Sequence, residues 1–189
     1  MIKLDNLEKE NILIIGNSPD SKNYLFQHLI DDNFFPIRFK CNKRPYSTKK
    51  LGKYLGKKVG LYFKTRKIYI IDNVEIDGKD IRQKFYDKHH CKLTRGLEAI
   101  LLFLEYYQKK GIEKKIYIHG FSFDTNNITP NWINEARKFK KKKFRVLRRE
   151  RLLKAGTYHI DKLPHNYDIE KQIVTELIKK GKIAYLTDY

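Results

Sequence analysis

The chain alternates between short unbroken apolar runs and longer stretches in which apolar residues recur every three or four positions. The first run, Asn11 to Ile15, reads as a strand buried on both faces. It stops abruptly at Gly16-Asn17-Ser18. Ser18 suits a helix N-cap and Pro19 the first helical position, where a missing N–H costs nothing, so a helix is expected to about Ile30. A second strand is expected over Phe35 to Cys41, with Pro36 at its start. Lys43 to Lys58 read as basic loop and turn, holding Pro45, Gly52 and Gly56. Val59 to Phe63 and Lys67 to Asp72 are further strands. The polar residues Asn73 to Lys79 predict an excursion, followed by a short helix near Asp80 to Asp87.

The clearest helical period begins near Gly96, where Leu97, Ile100, Leu101 and Leu104 share a face and Gly111 fits the C-terminal cap. It leads into a strand, Lys115 to His119, which stops at Gly120. The last unit repeats the logic. Ile169, Ile173, Leu177 and Ile178 form an apolar helical stripe, Gly181 ends it, and Lys182 to Leu186 return as a strand. Helices alternating with short buried strands imply a single α/β domain over residues 1–189 with a mostly parallel sheet. Asn126 to Lys154 break the pattern. Their run FKKKKFRVLRRERLLK, from Phe139 to Lys154, reads as a solvated basic face or, within residues 126–157, as a basic lid.

Composition narrows this only partly. With 41% hydrophobic residues, 189 positions supply enough apolar material for one core. No run reaches the roughly 18 apolar residues of a membrane span, and MIKLDNLEKE has no signal core, so the expected compartment is the cytoplasm or a membrane surface. Cys41 and Cys91 are too few for a disulfide framework and read as free thiols. The net charge of +19 favours anionic partners. Usage rich in Lys, Ile, Asn, Tyr and Phe, as an AT-biased genome gives, accounts for much of the lysine equally well. Charge alone therefore selects no function.

Two places can carry chemistry. The turn at Gly16 joins a strand to a helix start, where unpaired N–H groups and the positive dipole end attract phosphate. The dinucleotide fingerprint needs two more glycines, and positions 18 and 21 are serine, which disfavours a nicotinamide enzyme. The second place is His165 with Glu170, ahead of and inside the first turn of the last helix. Imidazole there is either a surface group or a base presented into a cleft, since its ordinary pKa of about 6.5 lets it take a proton at neutral pH. His89 and His90 lack a carboxylate or Cys spacing that completes a metal site, and no Asp-x-Asp pair is present. No metal and no cofactor are expected.

Taken in order along the chain, these segments resemble the sialyltransferases of glycosyltransferase family 29, with similarity also to the bacterial enzymes of that activity. ILIIGNSPD, Ile12 to Asp20, resembles the start of the family's large motif, and FPIRFKCNKRP, Phe35 to Pro45, its second half, in which an Asn contacts the donor nucleotide. LGKKVGLYF, Leu55 to Phe63, follows it loosely. KLTRGLEAILLFLEYY with KKIYIHGFSF resembles the small motif, with Thr94-Arg95-Gly96 as its turn and Gly120-Phe121 as its closing pair. His165 and Glu170, four residues between them, are similar to the very small motif. The chain departs from the pattern at Arg95, where the family has a small residue, and in the short spacing from Tyr158-His159 to His165. Cys41 and Cys91 do not stand where the secreted animal enzymes have their disulfide.

The resemblance implies a Rossmann-like domain, a variant of the GT-A type, that transfers sialic acid from CMP-sialic acid to a glycan hydroxyl with inversion. It implies that Gly16, Asn17, Ser18 and Asn42 line the nucleotide pocket, with Thr94 and Gly96 near the donor. His165 is then the base, Glu170 orients the site or fixes the helix start, and Tyr158 or His159 assists the departing CMP phosphate. Lys140 to Arg151 are expected to bring the enzyme to an anionic acceptor or membrane. The competing readings are a basic nucleic-acid-binding module using those same residues, and a degenerate nucleotide-sugar-binding fold without turnover. No nucleic-acid-binding motif accompanies the charge, and no nucleic acid is expected as a partner.

Overall fold

The computed structural model describes residues 1–16, 26–39, 55–121 and 166–189. Its centre is β2 (Ile12–Ile15), four consecutive buried residues. An unbroken apolar run suits a strand covered on both faces, and the packing bears this out. Ile12 and Ile14 join the larger core cluster, whereas Leu13 and Ile15 join a smaller one with Ile30, Phe34, Leu55 and Leu186. β2 pairs in parallel with β3 (Phe35–Phe39) on one side and β7 (Ile116–His119) on the other, so Ile14 faces Ile37 and Ile118. Beyond them lie β4 (Leu61–Phe63) and β8 (Ile183–Tyr185), giving a five-stranded sheet ordered β4-β3-β2-β7-β8 with every pairing parallel. From β2 the chain steps outward through β3 and β4, then returns to build β7 and β8 on the other flank. The direction reverses at β2. This is an α/β fold compatible with a Rossmann-like order, whose ligand crevice lies at the carboxyl ends of the strands flanking the reversal.

A second sheet is ordered β1-β5-β6, from β1 (Ile2–Leu4), β5 (Ile68–Ile71) and β6 (Val74–Asp77). Here the structure corrects the expected polar excursion over Asn73 to Lys79. Val74 and Ile76 alternate with Glu75 and Asp77, and the strand pairs antiparallel with β5 through a two-residue turn. Asp72 and Asn73 both have positive φ, 46° and 64°, as a hairpin turn that matches strand twist requires. Asp72 is held there by the N–H groups of Leu7 and Glu8 and by the Tyr106 hydroxyl, which donates at 2.6 Å. Local polarity hid a strand whose partner and turn are fixed by tertiary hydrogen bonds.

Of the helices, α1 (Gln27–Asn33) extends past the expected end at Ile30, and the earlier part of that expectation, 17–25, lies outside the described residues. α2 (Gly78–His89) starts directly after β6, capped by Asp77, which accepts from the Lys79 N–H at 2.8 Å. α3 (Arg95–Lys110) starts at Thr94, whose hydroxyl accepts from the Leu97 N–H, and ends at Gly111 with φ 68°. Its apolar stripe buries Leu97, Ile100, Phe103 and Tyr106. α4 (Tyr167–Lys179) is capped by the Asn166 side chain and precedes Gly181, φ 66°. No helix among the described residues is long and apolar enough to cross a membrane. The expected lid, 126–157, lies outside the described residues.

Candidate active site

The carboxyl ends of β2 and β7 meet at two glycines. Gly16 follows β2, and its N–H donates to the His119 carbonyl at the end of β7, 2.8 Å away. A Cβ on Gly16 would lie 2.3 Å from the Gly120 carbonyl oxygen and 3.2 Å from Cγ of Phe121. Gly120 itself turns with φ 69°, and Phe121 follows it. The Phe121 ring then lies against Gly96 in the first turn of α3, where a Cβ would fall 2.4 Å from Cε1. Gly16 and Gly96, both expected to line a donor site, are thus required by close packing within the protein. They seat the β2 turn, the β7 turn and the start of α3 on one another at the sheet's reversal point.

The third segment arrives through Glu170. Its carboxylate is 1% exposed and takes both donors of Thr94, the backbone N–H at 2.8 Å and the hydroxyl at 2.6 Å, across 76 residues of chain. The Thr94 hydroxyl donates to Glu170 while accepting from Leu97, so one side chain both caps α3 and ties it to α4. Burial pushes the Glu170 carboxyl up to about 7, a rise that the two Thr94 hydrogen bonds and Arg82 oppose. The expectation that Glu170 orients the site or fixes a helix start takes a specific form. The helix start it holds is that of α3, not only its own.

Arg82 and Glu98 stand behind this clasp. Glu98 lies one turn beyond Thr94, is fully buried, and accepts from Arg82 Nε and from the Arg66 N–H at 2.9 Å. A Cβ on Gly78 would lie 3.3 Å from Glu98 Oε1, so a glycine at the start of α2 leaves room for the carboxylate. Burial raises the Glu98 pKa, against the pull of Arg66 and Arg82. Cys91, in the link between α2 and α3, is a buried free thiol whose pKa is raised by burial and by Glu170. On the other face, the buried His119 imidazole meets the Phe26 ring edge-on, centroids 5.2 Å apart. Arg38, in the segment resembling the second half of the large motif, turns inward and donates to the carbonyls of Leu55, Gly56 and Lys58.

Of the residues expected to form the site, the structure brings together Gly16, Thr94, Gly96 and Glu170. Asn17, Ser18, Asn42, Tyr158, His159 and His165 lie outside the described residues, as do Cys41 and the Lys140–Arg151 run. Sequence reasoning passed over Arg82, Glu98 and His119. Glu98 was the most legible of these, as an acid next to Leu97 in the helix's apolar stripe. Among the described residues, no group of three or more His, Cys, Asp or Glu side chains is placed to hold a metal ion. The chain matches no protein-family model, no curated protein and no solved structure.

Proposed function

We propose that the protein is a sialyltransferase, moving sialic acid from a CMP-linked donor to a glycan hydroxyl with inversion at the anomeric carbon. The observation that carries the reading is the clasp of Glu170 on Thr94, joined through Gly96 and Phe121 to Gly16. Three segments whose resemblance to that family was ordered along the chain converge at the crevice where an α/β sheet of this order takes its ligand.

In this reading the β2 turn receives the nucleotide with Asn17, Ser18 and Asn42, and the domain is of the Rossmann-like GT-A variant. His165 immediately precedes Asn166, the cap of α4, and accepts the proton of the acceptor hydroxyl as that oxygen attacks the anomeric carbon. The bond from that carbon to the CMP phosphate breaks, and the phosphate leaves with help from Tyr158 or His159. Glu170 touches neither substrate. It positions Thr94 and the start of α3.

Thermal shift with CMP, CMP-sialic acid, a UDP-sugar and single-stranded RNA tests the reading. A ligand at 100 times its Kd adds about 2.7 kcal/mol. Stabilisation by the two cytidine ligands alone, followed by CMP release in the presence of a glycan acceptor, is the expected result. Equal shifts from CMP and the UDP-sugar overturn the donor assignment, and a shift from RNA alone returns the basic nucleic-acid module.

A further inference from the structure

We propose that the groove between α2, α3 and the second half of α4 is a second binding site, for a single-chain anionic amphiphile: an alkyl chain that ends in a carboxylate. The three helices leave between them a cavity of about 750 Å³. Its floor is apolar, with Ile81 and Phe85 from α2, Leu101 and Leu104 from α3, and Ile173 and Leu177 from α4. Ile81 and Phe85 are buried, but the four aliphatic side chains of α3 and α4 are only half-buried. They pack against the main core and also line the cavity. Spacings of three in α3 and four in α4 put each pair on one helix face. The result is a row of branched apolar side chains whose outer half has no protein cover among the described residues.

The rim decides the sign of the ligand. Lys84, Lys88, Lys109 and Lys180 stand on it against Glu105 and Glu176. Lys84 is engaged by Asp80 at 2.7 Å and Lys109 by Glu105 at 2.9 Å. Lys88, in the last turn of α2, and Lys180, just past α4, are exposed and take part in no ion pair among the described residues. Lysine suits such a rim, since its stem covers apolar surface while the ammonium stays in water. His89 adds a ring rather than a charge: it tilts against Phe85, centroids 4.7 Å apart, and burial, then Lys88 and His90, hold its pKa below the ordinary value. The volume lies within the roughly 300–1,000 Å³ of small-molecule sites. A docked helix three turns long and 10–12 Å across fills more than about 1,000 Å³, so one extended chain fits better. The floor takes that chain, and the surplus of lysine takes an acid head.

The test is an NMR titration of the full chain with labelled Leu and Ile methyls, those of the groove assigned by Leu101→Val, Leu104→Val, Ile173→Val and Leu177→Val. Decanoate is expected to shift the methyls of Leu101, Leu104, Ile173 and Leu177, whereas acetate, the head without the chain, shifts none. From octanoate through decanoate to laurate, affinity should rise by up to about fourfold for each CH₂ added. Lys88→Gln with Lys180→Gln changes two exposed side chains and should weaken decanoate by roughly three- to tenfold while leaving decanol unchanged. Decanoate that leaves the four methyls unshifted overturns the site. Equal loss for decanoate and decanol in the double variant, or no loss for either, overturns the assignment of an anionic head. Methyls that respond to phosphatidylglycerol vesicles but not to decanoate make this face a membrane contact and end the proposal as stated. None of these measurements uses a sugar donor or an acceptor, so the sialyltransferase reading stands or falls separately.

Discussion

Gly96→Ala sets two effects of opposite sign against each other. Gly96 lies in the first turn of α3, where alanine is favoured by up to about 1 kcal/mol over glycine. Against this, the new Cβ would stand 2.4 Å from Cε1 of Phe121 and 3.3 Å from Cδ1 and Cζ. Ordinary carbon contacts lie near 3.5–4.0 Å, so the ring must retreat by about 1 Å. Its backbone cannot follow easily, because Gly120 already closes on Gly16, where even a Cβ would be 2.3 Å from the Gly120 oxygen. Overpacking of this kind costs about 1–3 kcal/mol, so the clash wins and Gly96→Ala destabilises by roughly 1–2 kcal/mol. The same substitution made on Phe121→Ala has no ring to meet. There it should stabilise by a few tenths to about 1 kcal/mol, giving a coupling between the two positions of about 1.5–3 kcal/mol. Urea denaturation of the four proteins measures this. If Gly96→Ala is neutral or stabilising with Phe121 intact, the ring does not sit on α3, and the convergence of the three segments loses one of its two contacts.

Other outcomes follow from the charge at Glu170 and from the proposed base. Because its folded-state value is about 7 and an exposed glutamate titrates near 4.5, the folded chain binds the extra proton. Stability from this group is therefore complete below about pH 4.5 and is lost as pH rises through about 7, by on the order of 3 kcal/mol. Glu170→Gln should flatten that slope in denaturation measured across pH, and an unaltered slope assigns it elsewhere. His165→Ala should lower turnover by about 10² to 10⁴ while leaving CMP affinity unchanged, and wild-type turnover on a confirmed acceptor refutes the base assignment.

Much of the central sheet was legible because its strands are buried on both faces and therefore read as plain apolar runs. Residues 12–15, Ile-Leu-Ile-Ile, have no polar alternation to obscure them. Helix ends were legible at Gly111 and Gly181, whereas the cap at Thr94 went unread and the helix was expected to start near Gly96. What escaped was whatever a distant partner decides. β6 looked polar because Glu75 and Asp77 alternate with its apolar residues, and the turn that makes it a strand is held by Tyr106, Leu7 and Glu8. In the site, Thr94, Gly96 and Glu170 were visible as residue types at matching spacings. Their actual work was not, since Glu170 acts on a residue 76 positions away and Gly96 is required by a ring from another strand. Arg82 carried no signal at all, being one of 41 Lys and Arg residues.

The energetics of Glu170 bear on why the clasp exists. Two hydrogen bonds to an ionised carboxylate are worth about 1.5–3 kcal/mol each, yet burial still raises this group to about 7. Desolvation outweighs everything that Thr94 and Arg82 return. At neutral pH the ionised carboxylate therefore weakens the fold by on the order of 3 kcal/mol relative to a neutral group in the same place. Glutamine would keep an acceptor for the Thr94 N–H without that charge. A chain selected for stability alone has no use for glutamate at 170, nor for the Arg82–Glu98 pair behind it. Costs of this kind collect where a protein fixes charge for use, and here the cost falls on the helix starts that pack beside the ends of β2 and β7. Under the proposed sialyltransferase reading, the clasp answers to the work of the site rather than to the needs of the fold.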